Sequence, residues 1–305
     1  MISVSRGWGG SLGRMTFSVQ AVPEDATSWV NFAKKCERDG FEALLVPDHP
    51  GTCAAPFVAL AAAAAVTSKI RLASNVSNAG VREAMHLAVD VVTLDVVSNG
   101  RAGIGIGAGH TPAEWQAIGR ERPDVRGRVD RCLAVAAEVR ALLSKEKQGL
   151  EKPRPVQERI PLTVGTANSR MLRWAGEHAD IVGLSGLGRT LEDGHRHEAR
   201  WRTAQIDHQI ECVQAGAASR TTPPALEALV QIVELTDDAE AAAAPHAERL
   251  GMPVIELLNA PFALIGTAAE IRAAIAGHEK RWGITRYVIR AAAVDAITSV
   301  RSENR

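Results

Sequence analysis

Leu94–His110, LDVVSNGRAGIGIGAGH, is the stretch whose reading decides the fold. Gly103, Gly105, Gly107 and Gly109 alternate with Ala102, Ile104, Ile106 and Ala108. That is a period of two, the period of a strand. One face of the strand carries apolar side chains and the other carries none. Glycine packs nothing and loses more entropy on ordering, so a bare face is expected only where backbone or a flat ligand comes close. A Rossmann fingerprint requires G-x-G-x-x-G. Counted from Gly103, Gly105 or Gly107, the sixth position is Ala108, His110 or Pro112. No Gly-Lys-Ser/Thr is present, which excludes a P-loop. The stretch is therefore a glycine-rich strand that ends in a histidine.

On either side of it, strand and helix patterns alternate. Strands are expected at Met15–Gln20, Glu42–Val46, Ile70–Asn75, Arg101–Gly107, Pro161–Val164, Asp180–Leu184, Leu229–Leu235 and Arg286–Arg290. Helices are expected at Ala26–Asp39, Phe57–Val66, Arg82–Val97, Val125–Leu143, Ser169–His178 and Ala268–Trp282. Trp29, Phe32, Ala33 and Cys36 form one helical stripe, and Met85, Val89, Val92 and Val96 another. Regular alternation implies right-handed crossovers and a parallel sheet. Eight such units in 305 residues point to an α/β chain closed as a single (β/α)8 TIM barrel over residues 1–305. Residues 186–226 are too long for a simple crossover. They read as an insertion after the sixth strand, with a helix near Glu198–Gln214.

Composition narrows the partners. Net charge is +0, which gives no electrostatic footprint for nucleic acid or an anionic membrane. The four cysteines, Cys36, Cys53, Cys132 and Cys212, show no CxxC pair and read as free thiols of a cytoplasmic protein. No apolar run reaches the about 18 residues of a membrane span. Met1–Arg14 is glycine-bearing and reads as a loose leader without a signal-peptide core.

In such a barrel, ligands sit where the strands stop. The positions to watch are Asp48 and His49, Asn75–Asn78, Gly109 and His110, Gly165–Ser169, Ser185, Gly186 and Arg290. A bland reading accompanies each. His49 is either a polar strand cap or a proton donor that titrates near neutrality. Asp48 either orients His49 or binds a ligand. His110 either faces water or touches substrate. Asn75 and Asn78 either satisfy loop backbone or bond a ligand's polar edge. Asp193, His195, His197 and Glu198 lack the spacing and partners of a ligand set, so no metal is expected. Glu177, His178 and Asp180 read as structural. Ser185 lacks a G-x-S-x-G elbow.

Four blocks, ALLVPDH, IRLASNVSN, TLDVVSNGRAGIGIGAGH and IPLTVGTANSRMLRWAGEHADIVGLSG, resemble the luciferase-like flavin and deazaflavin oxidoreductases, and most of all the members that use coenzyme F420. The resemblance implies a hydride passed between coenzyme F420 and a small organic substrate, within a cytoplasmic homodimer. The alternatives are an FMN-dependent monooxygenase and a non-catalytic ligand-binding barrel. It further implies a non-prolyl cis peptide at Asn75–Val76, in a bulge that backs the ring. Asp48, His49 and His110 are the implied catalytic positions. Asp48, Ser74, Asn75, Val76, Asn78, Gly109 and Ser185 are the implied cofactor contacts. The backbone amides of Gly165, Thr166, Ala167 and Asn168 are implied to hold a cofactor phosphate. Under this resemblance the bare glycine face leaves room beneath a flat ring.

Overall fold

The computed structural model describes residues 15–146, 149–191 and 197–302. The leader Met1–Arg14, and Asp193 and His195 of the weighed metal set, lie outside the described residues. In chain order the strands are β1 (Thr16–Gln20), β2 (Ala43–Val46), β3 (Arg71–Asn78), β4 (Ala102–Gly107), β5 (Leu162–Gly165), β6 (Ile181–Leu184), β7 (Leu187–Thr190), β8 (His197–Ala199), β9 (Ala225–Leu229), β10 (Ile232–Leu235), β11 (Ala263–Gly266) and β12 (Ile284–Arg290). Eight of them close into a barrel in the order β1-β12-β9-β6-β5-β4-β3-β2. The helices are α1 (Ala26–Arg38), α2 (Pro56–Ala64), α3 (Ala84–Val97), α4 (Pro112–Ala117), α5 (Val125–Leu142), α6 (Ser169–His178), α7 (Thr203–Ala217), α8 (Ala239–Leu250), α9 (Val254–Leu258), α10 (Ala268–Trp282) and α11 (Val294–Ser302). No described helix is long and apolar enough to cross a membrane. The four cysteines are unpaired.

The chain divides into two compact units. One holds Gln20–Gly165 and Ala179–Ile181; the other holds Met15–Val19, Thr166–His178 and the chain from Val182 onward.

In the first unit, β3 and β4 run parallel. Ser74 pairs with Ile104 and Ser77 with Ile106, so β3 carries one residue more than β4 over this interval. That is a β-bulge. The Asn75–Val76 peptide within it is cis. The bulge sends the Val76 side chain onto the glycine face. A Cβ at Gly107 would sit 2.5 Å from Val76 Cγ2, and one at Gly165 would sit 2.9 Å from Val76 Cγ1. A Cβ at Gly105 would sit 2.5 Å from Ser74 O and 3.0 Å from Val76 Cγ1. The bare face is thus filled by the protein's own valine, with the Ser74 backbone carbonyl close against Gly105. The opposite face, with Ala102, Ile104 and Ile106, is fully buried.

Helix α3 corrects an expectation in part. Val92 is buried as expected, but Met85 and Val96 are exposed, and Leu87, Val91 and Leu94 are buried in their place. Apolar residues surround nearly the whole helix, so the sequence pattern carries little information about its phase. Asp95 on this helix is fully buried and accepts from Val156 N at 2.8 Å and Gln157 Nε2 at 2.7 Å. The charged connection after α5 is therefore anchored at that point.

In the second unit, the inserted segment forms a β7–β8 hairpin, and then α7 begins at Thr203 rather than Glu198. Gly176 and Gly216 let α6 and α7 touch: a Cβ on either would run into the other helix's backbone, at Val213 O and Arg173 O. The seventh barrel strand is β9, not Leu229–Leu235; β10 pairs instead with β11. Glu227 hid β9 from the apolar pattern. It is buried, with its carboxylate 3.5 Å from the register partner Arg286. Burial pushes the Glu227 carboxyl up, against the pull of Arg286. His278 lies between Tyr287 OH at 3.1 Å and Asn259 O at 3.2 Å, and burial pushes its pKa down to about 4.

The fit between valine and glycine is open to direct test. Gly107→Ala is expected to destabilise the protein by about 1–3 kcal/mol in urea denaturation, because the added methyl overpacks against Val76. In a Val76→Ala background the same change should cost clearly less. Additive losses would show that Val76 does not occupy the glycine face.

Candidate functional site

The first unit gathers His49, Asp48, Asn78, Glu114 and His110 at the ends of β2, β3 and β4. After β2, Pro47 leads into Asp48, which is 2% exposed. Arg82 grips its carboxylate bidentately, with Nη2 to Oδ1 at 2.8 Å and Nε to Oδ2 at 3.0 Å. Asn78 N also donates to Oδ2, at 3.1 Å. Removing Arg82 would leave a buried carboxylate without its cation, a destabilising change. Asp48 is thus committed to binding the end of β3 and Arg82, a structural duty the sequence did not reveal.

Asn78, 3% exposed, uses every polar end of its side chain. Its Oδ1 accepts from Gly80 N at 2.8 Å, and its Nδ2 donates to Glu114 Oε2 at 2.5 Å. Gly109 adopts φ +68, and a Cβ there would collide with the Asn78 amide. Gly109 is therefore a glycine to admit Asn78. Gly80 is one to admit the Trp115 ring, which a Cβ there would strike.

Glu114 lies on α4, a short helix with Pro112 in its first turn. It is 3% exposed, and its Oε1 lies 2.7 Å from His49 Nδ1. Burial raises its carboxyl, but His49, Asn78 and Thr111 together outweigh burial and hold it below the ordinary carboxylate range. Glu114 is accordingly an anion facing an imidazole. With the carboxylate on Nδ1, a neutral His49 carries its proton there and leaves Nε2 as the acceptor. The side chain of His49 is 37% exposed, which leaves it accessible. The His110 ring meets it edge-on, with centroids 5.6 Å apart. Sequence reasoning singled out both histidines and missed Glu114, although the run HTPAE places it four residues past His110.

Asn75, in the bulge, is held by Gln20, whose Nε2 donates to Asn75 O at 2.5 Å and Oδ1 at 3.0 Å. Asn75 and Val76 are half-buried. Ser74 is buried, and its hydroxyl bonds Gly105 O at 3.2 Å and Ser77 Oγ at 2.8 Å. That duty is internal to the sheet.

In the second unit, the implied phosphate anchor is already partly used. Thr166 N donates to Gly183 O at 3.0 Å, and Asn168 N to Thr166 Oγ1 at 3.0 Å. Asn168 Oδ1 caps α6, accepting from Arg170 N at 3.1 Å and Met171 N at 3.2 Å. Two of the four amides from Gly165 to Asn168 thus already have acceptors within the protein. Ser185 Oγ accepts from Leu187 N at 3.2 Å and so shapes the turn into β7. Arg290, at the end of β12, donates to Gln231 Oε1 at 3.3 Å.

The profile of the luciferase-like monooxygenase family matches residues 9–286, and the chain belongs to that family. An uncharacterised protein of Mycobacterium tuberculosis is 32% identical over 180 residues, covering 48% of this chain and 64% of that one. This chain thus matches less than two thirds of that relative's length. The 5,10-methylenetetrahydromethanopterin reductase of Methanopyrus kandleri is 34% identical over 99 residues, covering 32% of this chain and 28% of that one. The structure of a coenzyme F420-dependent tetrahydromethanopterin reductase from the same organism superposes with a TM-score of 0.66 at 18% identity, over 95% of this chain and 99% of that one. The monooxygenase RslO1 from Streptomyces bottropensis superposes at 0.71 and 20% identity, over 95% and 99%. At such identities the superpositions speak for the fold, the closed parallel barrel.

The charge of Glu114 should depend on His49. In His49→Phe, which keeps the site covered, the burial penalty stays while its leading compensation goes. Carbon-13 NMR of labelled glutamate should then show the Glu114 carboxyl titrating at higher pH than in wild type. An unchanged or lower value would contradict the pairing.

Proposed function

We propose that the protein is an oxidoreductase that moves a hydride between coenzyme F420 and a small organic substrate, at a C=C, C=N, C=O or alcohol carbon. The observation that carries this reading is the Glu114–His49 pair, in which Nδ1 is 2.7 Å from a buried carboxylate. A buried anion on Nδ1 orients the imidazole and stabilises the charge it gains on protonation. His49 then takes a proton at Nε2 when an alcohol is oxidised, and gives it back when a carbonyl or imine is reduced. Hydride chemistry asks this of a protein: positioning and a proton, the rest belonging to the cofactor.

The residues fit such a group. Val76, seated on Gly105, Gly107 and Gly165, offers an apolar surface, and Asn75 beside it carries amide groups fixed by Gln20. Coenzyme F420 supplies the hydride-carrying carbon when bound. With the cofactor bound, Val76 would back the ring, and His49 and His110 would stand at the substrate side. Asp48, Asn78 and Arg82 act as positioning residues behind them. The sequence similarity to the methanopterin reductase is in keeping with the deazaflavin reading.

Anaerobic titration of the purified protein with each cofactor tests this. Saturable quenching of F420 fluorescence, with no binding of FMN, is the expected result. With a substrate that turns over, His49→Asn should leave F420 affinity unchanged and lower kcat by about 10²–10⁴-fold. Binding of FMN with no response to F420 would overturn the reading.

A further inference from the structure

The run Arg120–Arg131, RERPDVRGRVDR, carries five arginines. It follows α4 and so lies beyond the C-terminal end of β4, the end at which barrels of this kind carry their ligands. Two of the five are accounted for. Arg120 Nη2 and Arg131 Nη2 meet Glu83 Oε1 at 2.7 and 3.1 Å. Arg126 is exposed.

Arg122 and Arg128 differ from these. Asp124 caps α5 by accepting from Gly127 N at 2.7 Å, and Arg128 Nη1 folds back onto Pro123 O at 2.8 Å. This turn brings the two guanidiniums into each other's field, and Arg122 acts on Arg128 as a like charge. Burial lowers both groups, and Asp124 is the carboxylate that offsets this at Arg128. Arg122 Nε is buried with no hydrogen-bond partner, and among the described residues no carboxylate pairs with this side chain. An ordinary solvated arginine keeps water on its donors. A buried, unbonded donor beside a second cation is costly unless an anion completes it.

We propose that Arg122 and Arg128 form a binding site for a phosphoryl group. Two planar forks with several donors match the oxygens of a phosphate, which would satisfy Arg122 Nε and relieve the like-charge repulsion. The site stands independently of the hydride-transfer reading.

Isothermal titration with inorganic phosphate and with pyrophosphate, at fixed ionic strength, tests it. Wild type should bind one equivalent. Arg122→Gln and Arg128→Gln should each weaken binding about tenfold or more. Arg126→Gln makes the same change in net charge and should leave binding as in wild type; melting temperatures confirm that each variant is folded. Absence of saturable binding to wild type, or equal weakening by Arg126→Gln, would overturn the proposal. Repeating the titration on protein saturated with F420 identifies the source of the group. Lost phosphate binding assigns it to the cofactor, and retained binding assigns it to a separate phosphorylated ligand. Phosphate binding by a protein that ignores F420 would remove the cofactor reading and leave this site standing.

Discussion

Asn78 joins three strand ends through its backbone amide and both atoms of its side-chain amide. The backbone N–H fixes Asp48 after β2, Oδ1 takes the amide of Gly80, and Nδ2 holds Glu114 beyond β4. Each of these partners is itself buried or bonded in turn. Asp48 needs Arg82, Glu114 needs His49, and Gly109 must lack a side chain to leave Asn78 its place. A buried polar cluster of this kind is stable only when complete, because each orphaned group would bear its own desolvation cost. The half-exposed imidazole of His49 is the end of this network that reaches solvent.

The position of Asn78 depends in turn on the bulge just before it. The extra residue in β3 shifts register between Ser74 and Ser77, sends Val76 onto the glycine face and lets Asn78 arrive opposite Gly107. The glycines of β4 thus serve the neighbouring strand first. Val76 covers that face, and the glycines lie one layer behind it.

Much of this was legible in the sequence, because it is written in local periodicity. The alternation through Gly103–Gly109 marked a strand, and its failure to match a nucleotide fingerprint turned the reading toward a barrel. His49 and His110 were visible as polar residues at strand ends. Glu114, Arg82 and Gln20 were not. Each acts on a residue 34 to 65 positions away, and no local pattern records such a pairing. The face of α3 was misread because apolar residues surround it. Strand β9 was missed because its Glu227 breaks the apolar alternation, and the answering Arg286 lies in another strand. The phosphate role given to Gly165–Asn168 rested on the presence of amides near a helix start, and what the sequence withheld was that Gly183 O and Thr166 Oγ1 already accept two of them.

The central claim is that Glu114 is an anion that holds the Nδ1 proton of His49 and leaves Nε2 to handle the substrate's proton. Neutron diffraction on perdeuterated crystals at neutral pH reads this directly. The account predicts deuterium on His49 Nδ1, directed at a bare Glu114 Oε1. Deuterium bonded to Glu114, with His49 Nδ1 bare, would contradict it.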